Sequence, residues 1–498
     1  MSAVTAAPVA NPRFTRGQAI GAILAVAAAV GIELLPLQGS LPAAGQHMLA
    51  ILAFAVIIWI SEAMDYTVSS ILIAALIIFL VGSAPSVANP DVPYGTQGGL
   101  KLALAGFSNS GLALVAAALF IAAAMTVTGL DQRIALFTMS HIGAGGRRVL
   151  IGSIIVTILL SFVVPSATAR TACVVPIMLG GIASLKLDRK GPLAASIMIT
   201  IAQATSIWNI GIMTSAAQNL LSRGFVEKQF GADQALAWVD WLIAGAPWAV
   251  IMSVILYFVV RKVLPPEIEE IPGGKQAMAE SYRALGSMTA PEKRLLAISL
   301  VLLGLWATEN KLHSLDTAST TIAGVALMLL PGIGVMTWKQ AQKLIPWGTV
   351  IVFAVGISLG TALLDTKAAQ WLSSSVVQAF QLDTLSPFAI FALLSAFLIL
   401  IHLGFASATA LTAALMPILI NVLASVPDLN APGIAMLLAF TVSFGFILPV
   451  NAPQNMVCLG TETFTTRQFT MVGLWLTVAG YALLLLFALT WWPLLGLI

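Results

Sequence analysis

The chain has 498 residues, 59% of them hydrophobic and only 9% charged, and its formal net charge is +3. Soluble domains carry roughly 25% charged residues, so this composition defines an integral membrane protein. It excludes a nucleic-acid partner, which would need a basic patch interleaved with aromatics.

Residues 1–17 are polar, carry Arg13 and Arg16, and read as a cytoplasmic N-terminus. No small-residue cleavage site follows the first apolar run, so that run is expected to remain as a span. A helix needs about 20 apolar residues to cross a bilayer. This template places spans near 18–37, 46–62, 66–83, 111–130, 192–222, 238–262, 295–308, 317–334, 347–364, 431–460 and 470–492, about 11 transmembrane helices in an all-α protein. The stretches 131–146 and 366–384 read as amphipathic interfacial helices. Two longer apolar stretches, 149–183 and 386–427, each hold a polar Ser-Ala-Thr tip half-way along with a proline near it. Each is one long helix or a re-entrant hairpin, and the central tip between apolar flanks favours the hairpin. Cys173 and Cys458 lie in apolar segments and read as packing residues, not as a disulfide or metal site. No cofactor is expected.

Charge supports this layout. With a cytoplasmic N-terminus and hairpins that return to their own side, Arg13, Arg16, Arg133, Arg147, Arg148, Lys186, Arg189, Lys190, six bases from Arg261 to Arg294, Lys339, Lys343 and Arg467 face inside, 17 in all. Five face outside: Lys101, Arg223, Lys228, Lys311 and Lys367. That obeys the positive-inside rule and puts the C-terminus outside. The remaining base, Arg170, follows the first tip. The stretch 261–294, with Glu267, Glu269, Glu270, Pro272, Gly273 and Gly274, is the one long hydrophilic segment and reads as a linker between halves.

The halves echo each other in order. Trp59-Ile60-Ser61-Glu62 matches Trp306-Ala307-Thr308-Glu309, and Leu130-Asp131-Gln132-Arg133 resembles Leu364-Asp365-Thr366-Lys367. Ser166-Ala167-Thr168 matches Ser407-Ala408-Thr409, and Ala216-Ala217-Gln218-Asn219 matches Ala452-Pro453-Gln454-Asn455. Five spans and one hairpin per half make an odd number of crossings, so the second copy is inverted, as in secondary transporters. The spans after each hairpin are interrupted, at Thr205, Ser206 and Asn209 in one half and at Pro449, Asn451, Ala452 and Pro453 in the other. Half-helix N-termini exposed by such breaks offer positive dipole ends to an anion.

With these motifs the chain resembles the divalent anion/sodium symporter (DASS) family of di- and tricarboxylate transporters. The family signature Trp-x-x-Glu-Ala-x-Pro reads Trp59-Ile60-Ser61-Glu62-Ala63-Met64-Asp65 here, without the proline. Its Ser-Asn-Thr hairpin tips correspond to Ser166-Ala167-Thr168 and Ser407-Ala408-Thr409. Its Thr-Pro-Pro-Asn loop corresponds to Ala452-Pro453-Gln454-Asn455. The resemblance implies a homodimer embedded in lipid, with a scaffold and a moving transport domain working as an elevator. On that basis 18–130 and 295–365 are the scaffold parts of the two halves. Segments 131–260 and 366–498 each combine an interfacial helix, a hairpin and a transport part, and 261–294 is the cytoplasmic linker.

The departures bear on coupling. The family's tip asparagines help bind sodium, whereas Ala167 and Ala408 offer no side-chain oxygen to a hard cation. Arg170 and His402 supply positive charge in its place. A built-in cation favours obligatory exchange, because the empty carrier stays charged at membrane depth. The expected function is therefore anion:anion antiport of small carboxylates such as malate, 2-oxoglutarate, succinate, citrate or tartrate in a bacterial cytoplasmic membrane. The alternatives are a sodium-coupled dicarboxylate or sulfate symporter, with sodium held by backbone carbonyls, and an anion channel. An enzyme is disfavoured, since four scattered histidines and no paired carboxylates in the hairpins make no catalytic constellation.

The expected substrate-binding residues each have a plainer reading. Ser166, Thr168, Ser407 and Thr409 are carboxylate donors, or else bond their own helix backbone. Thr205, Ser206, Asn209, Asn451 and Pro453 complete the cavity, or cap half-helices. Asn451 is expected to replace the hydroxyl missing at Ala452. Arg170 is a site charge or a snorkelling base. His402 is a site charge, a proton-linked switch or a satisfied buried histidine. Trp208 narrows the pocket or packs. Glu62, Glu309, Trp59 and Trp306 are read as scaffold helix ends.

Overall fold

The computed structural model describes residues 15–37, 41–142, 146–184, 187–265 and 274–498. Arg13, Lys186 and the linker residues Glu267, Glu269, Glu270, Pro272 and Gly273 lie outside the described residues. Within them the regular elements are helices.

The first half runs through α1 (Arg16–Glu33), α2 (Ala43–Ser61), α3 (Tyr66–Leu76, continued by a π-turn), α4 (Gly95–Leu104), α5 (Ser110–Thr128), α6 (Leu130–Ile142), α7 (Gly146–Val163), α8 (Ala167–Ser184), α9 (Pro192–Gly211), α10 (Ala217–Phe230) and α11 (Trp238–Val263). After α12 (Gly274–Ala284) come α13 (Ala290–Thr308), α14 (Thr317–Leu329), α15 (Trp338–Leu344), α16 (Trp347–Asp365), α17 (Ala368–Phe380), α18 (Pro387–His402), α19 (Ala408–Ala424), α20 (Ala431–Thr441), α21 (Pro453–Leu459) and α22 (Thr466–Leu489). Helices α2–α11 and α13–α22 repeat one order of elements: two spans, a short helix, a long helix, a lateral helix, a two-armed hairpin, a broken span and a final span. The fold is an inverted repeat with α1 added in front.

Local chemistry sets the boundaries. Thr15 with Gln18, and Thr289 with Glu292, form capping boxes that start α1 and α13. Asp65 and Asp316 cap α3 and α14. Gly129 takes φ 73° at the end of α5, a left-handed geometry that turns the chain directly into α6. Among the described residues, eight helical segments are long and apolar enough to cross a bilayer; the hairpin arm α8, both arms α18 and α19, and the half-helix α20 are among the shorter apolar ones.

Both Ser-Ala-Thr stretches are hairpins, not single spans. Helix α7 packs on α6, and α8 returns to pack on α6 and α12. At the other hairpin, Ser425 just beyond α19 donates to Ser373 on α17 at 3.0 Å, so α19 returns to the lateral helix that precedes α18. Each returning arm carries an internal proline at the same distance from its tip, Pro176 and Pro417.

The repeats interlock. Helix α8 packs on α21 and α19 on α10, while α9 meets α21 and α20 meets α10. The long helices α5 and α16 pack on α14 and α3 of the opposite half. Every residue of α9 after Pro192 is buried. Two ion clusters tie the periphery. Arg133 on α6 meets Glu292 on α13 at 2.6 Å and donates to the carbonyls of Leu285, Gly286 and Ser287. Arg223 on α10 lies 2.7 Å from Glu227 and 3.4 Å from Glu309, whose carboxylate also accepts from Thr317.

Candidate functional site

Both hairpin tips open on one cavity of about 480 Å³. Ser166, Ala167 and Thr168 line it from the first repeat, and Ser407, Ala408 and Thr409 from the second. Asn209, Ala216, Ala217 and Gln218 add the first broken span, and Ala452, Pro453 and Gln454 add the second. The remaining wall comes from Asp65–Thr67, Leu119, Pro346, Gly348, Thr349 and Val352 of α3, α5 and α16.

Four helices present their first residue to this space: α8 with Ala167, α10 with Ala217, α19 with Ala408 and α21 with Pro453. Their dipole ends, and the first-turn amides that no cap takes, face the same volume, two helices from each repeat. Such convergence favours an anion. No Lys, Arg or His is among the described residues of the wall, and its one carboxylate, Asp65, is occupied in capping α3 through Thr67 N at 2.8 Å.

The tip serines cap the returning arms. Ser166 Oγ accepts from Ala169 N at 3.3 Å, and Ser407 Oγ accepts from Ala410 N at 3.2 Å. Capping uses the oxygen and leaves the hydroxyl hydrogen available to a ligand oxygen. The plainer reading and the functional one are thus compatible at these two positions.

Behind the wall stands a shell that holds the tips in place. Arg170 is fully buried, yet its guanidinium does not line the cavity: Nη1 donates to Val164 O at 3.0 Å and Ser215 O at 2.7 Å, and Nη2 donates to Asn209 Oδ1 at 2.6 Å. A guanidinium can only donate, so Asn209 shows it oxygen and keeps the Nδ2 donor for the cavity. In the second repeat, His402 Nε2 donates to Asn451 O at 3.3 Å. Asn451 in turn donates to the carbonyls of His402, Leu403 and Phe405. Ser215 and Asn451 occupy equivalent positions just before the two matched Ala-x-Gln-Asn motifs, so each repeat anchors its hairpin on the same carbonyl with a different side chain.

The sequence-derived residues therefore divide. Ser166, Ala167, Thr168, Asn209, Ser407, Ala408, Thr409, Ala452 and Pro453 line the cavity. Arg170, Thr205, Ser206, His402 and Asn451 stand behind it. Thr205 donates to Ile201 O at 2.8 Å, and Ser206 to Ala202 O at 3.2 Å. Trp208 donates to Ser253 Oγ at 3.0 Å and does not reach the wall. Gln218 and Gln454 line the cavity without having been singled out, although the repeat of Ala-Ala-Gln-Asn against Ala-Pro-Gln-Asn already marked them. Asn219 and Asn455 of the same motifs donate to Asn209 O at 2.6 Å and Gly445 O at 2.9 Å, closing the free carbonyl ends of α9 and of the segment after α20.

Two inverted copies of a broken span and a hairpin, meeting at a central anion-favouring cavity, define a secondary transporter. The chain belongs to the divalent anion/sodium symporter family: it matches the family described as "Sodium:sulfate symporter transmembrane region" over residues 17–498. It is 62% identical over 477 residues to a "Membrane protein" of Cupriavidus necator, covering 96% of this chain and 93% of that one. It is 25% identical to the sodium-dependent dicarboxylate transporter SdcS of Staphylococcus saprophyticus, over 96% of this chain and 92% of that one. It is likewise 25% identical to the citrate/succinate antiporter of Escherichia coli K12, over 93% and 95%. The fold is similar to the crystal structure of the Alcanivorax borkumensis YdaH transporter, at a TM-score of 0.50 and 14% identity, covering 86% of this chain and 98% of that one. The protein is thus a multi-pass membrane transporter.

Proposed function

We propose that the protein exchanges di- and tricarboxylate anions across the membrane by an elevator movement. The observation that carries this reading is the meeting of four helix N-termini, two from hairpin arms and two from broken spans, and two hydroxyl-bearing tips around one cavity. Neutral donors suit a carrier, because they hold a dianion without the grip of a direct ion pair and so permit release. The relatives named as dicarboxylate and citrate/succinate transporters support the substrate class.

Exchange is favoured over sodium symport by Ala167 and Ala408, which bring no side-chain oxygen to the tips, and by Arg170. Its guanidinium is buried one side chain behind the site and meets carbonyls and an amide, with no carboxylate among its partners. This fixed positive charge offsets part of the ligand charge in every cycle. The loaded carrier then crosses more readily than the empty one.

The elevator reading rests on how the wall is divided. Tips and broken spans supply one group of lining residues, and the starts of α3 and α16 with Leu119 and Val352 supply the other. A ligand held by the first group travels with it past the second.

A sodium-coupled reading is second. It is favoured by the buried Oδ1 atoms of Asn219 and Asn455, which have no hydrogen-bond partner and lie in the motif next to each tip. Counterflow in proteoliposomes preloaded with malate separates the two. Exchange predicts uptake of labelled malate with no sodium present. Uptake that requires both sodium and no internal anion refutes exchange.

A further inference from the structure

Each repeat contributes one glutamine to the cavity wall, Gln218 from the first turn of α10 and Gln454 from the first turn of α21. Both are nearly buried, 7% and 5% exposed. Gln218 Nε2 donates to Ser443 Oγ at 3.1 Å, and Gln454 Nε2 donates to Ser206 Oγ at 3.1 Å. Each glutamine therefore reaches across to the broken span of the other repeat, and the two bonds form a pseudo-symmetric pair.

Ser206 dictates how the carboxamide of Gln454 lies. The serine hydrogen goes to Ala202 O at 3.2 Å, so its oxygen must accept, and Gln454 must offer its amino group. The carbonyl Oε1 is then the remaining polar atom that Gln454 brings to the wall. Gln218 likewise donates through Nε2, to Ser443 Oγ, which leaves Oε1 as its other polar atom.

Apart from Asp65, whose carboxylate caps α3, these two acceptors stand out among lining groups that can donate. Helix N-termini, tip hydroxyls and Asn209 Nδ2 all present hydrogens, which suits carboxylate oxygens. An ionised carboxylate has acceptors only, and against a glutamine Oε1 it leaves two oxygens facing each other. A ligand that fits this wall must bring its own donor between the carboxylates. A hydroxyl on the carbon beside a carboxylate supplies it without adding charge. Two such hydroxyls, one per carboxylate, match the two glutamines, one from each repeat.

We infer that the carried anion is a hydroxylated dicarboxylate, and that Gln454 and Gln218 accept hydrogen bonds from its hydroxyl groups. This rests on the carboxylate-carrier reading above and adds selectivity to it.

The test is competition against labelled malate exchange in proteoliposomes by succinate, malate and tartrate, which differ by zero, one and two hydroxyls. A neutral hydrogen bond is worth about tenfold in affinity. Malate is expected to half-inhibit at about one-tenth the concentration of succinate, with tartrate at least as potent as malate. Gln454→Met, similar in length and without an acceptor, is expected to bring the malate-to-succinate ratio towards one, and Gln218→Met to lower the advantage of tartrate over malate. If wild-type protein binds succinate as well as malate, the hydroxyl assignment falls while carboxylate exchange stands. A folded Gln454→Met protein with an unchanged ratio also overturns it. If no labelled malate exchanges at all, the underlying reading fails instead. The wild-type ratio decides the matter even where a variant does not fold.

Discussion

Arg170 Nη2 donates to Asn209 Oδ1 at 2.6 Å, which turns a buried arginine into the residue that aims an asparagine at the cavity. The same guanidinium holds Val164 O at the end of one hairpin arm and Ser215 O at the break of the following span. Hairpin tip and broken helix thus keep one relative position as long as Arg170 is present.

Arg170→Ala leaves three buried acceptors without a donor, each costing about 1–3 kcal/mol. Exchange is expected to be lost and the melting temperature of the detergent-solubilised protein to fall. Arg170→Lys keeps the charge but not the planar fork, so it is expected to retain less than one-tenth of the exchange rate. A lysine variant as active as wild type would mean that charge alone matters and the aiming of Asn209 does not.

Thr168 and Thr409 line the cavity at the two tips. Thr168→Val and Thr409→Val remove one hydroxyl each at nearly constant shape. Each is expected to raise the half-saturating carboxylate concentration about tenfold, the value of one hydrogen bond. The ligand-free melting temperature is expected to stay within a degree or two of wild type, because neither hydroxyl supports another group. A large drop in melting temperature with unchanged affinity would assign these hydroxyls to structure.

Coupling is open to reversal at the tips. Ala167→Asn with Ala408→Asn puts a carbonyl oxygen at each tip, in a protein where Asn219 Oδ1 and Asn455 Oδ1 are already buried without a partner. Sodium seeks several oxygens at once. On the exchange reading, the double variant is expected to gain sodium stimulation of uptake and the wild type to show none. Equal sodium response in both proteins would remove the tips from coupling.

The Arg133–Glu292 pair predicts stability. Both side chains are buried at 8% and 5% exposure, and the pair joins α6 to α13. Glu292→Gln leaves a buried guanidinium without its counter-charge, a loss of about 3–5 kcal/mol. Glu227→Gln on α10 is expected to cost less, because Arg223 keeps Glu309. Thermal unfolding of the two variants side by side checks the order.

Much of the architecture was legible from residue order. The sequence-derived spans near 46–62, 111–130 and 347–364 agree with Ala43–Ser61, Ser110–Thr128 and Trp347–Asp365 to within a few residues. The span near 192–222 resolves into α9, a turn at Met213–Ser215 and α10, and that near 431–460 into α20, a turn at Pro449–Asn451 and α21. Proline explains the second break, since Pro449 and Pro453 cannot donate to a helix ladder. The first break has no proline, and there the matched Ala-x-Gln-Asn motif was the better signal.

Chain order and hydropathy by themselves determined that this is a membrane protein with two inverted copies and two polar tips. Those properties depend on how long an apolar run lasts and where it is interrupted, and both can be counted along one strand of text. Which polar groups face the cavity was decided only by packing. Helix α9 is buried on every side, so no wet stripe distinguishes Asn209, which reaches the wall, from Thr205 and Ser206, which do not. Arg170 lies behind the wall for the same reason: its direction depends on carbonyls 6 and 45 residues away, brought beside it by tertiary structure. The pair Gln218 and Gln454 became visible only when each was found bonded to the opposite repeat.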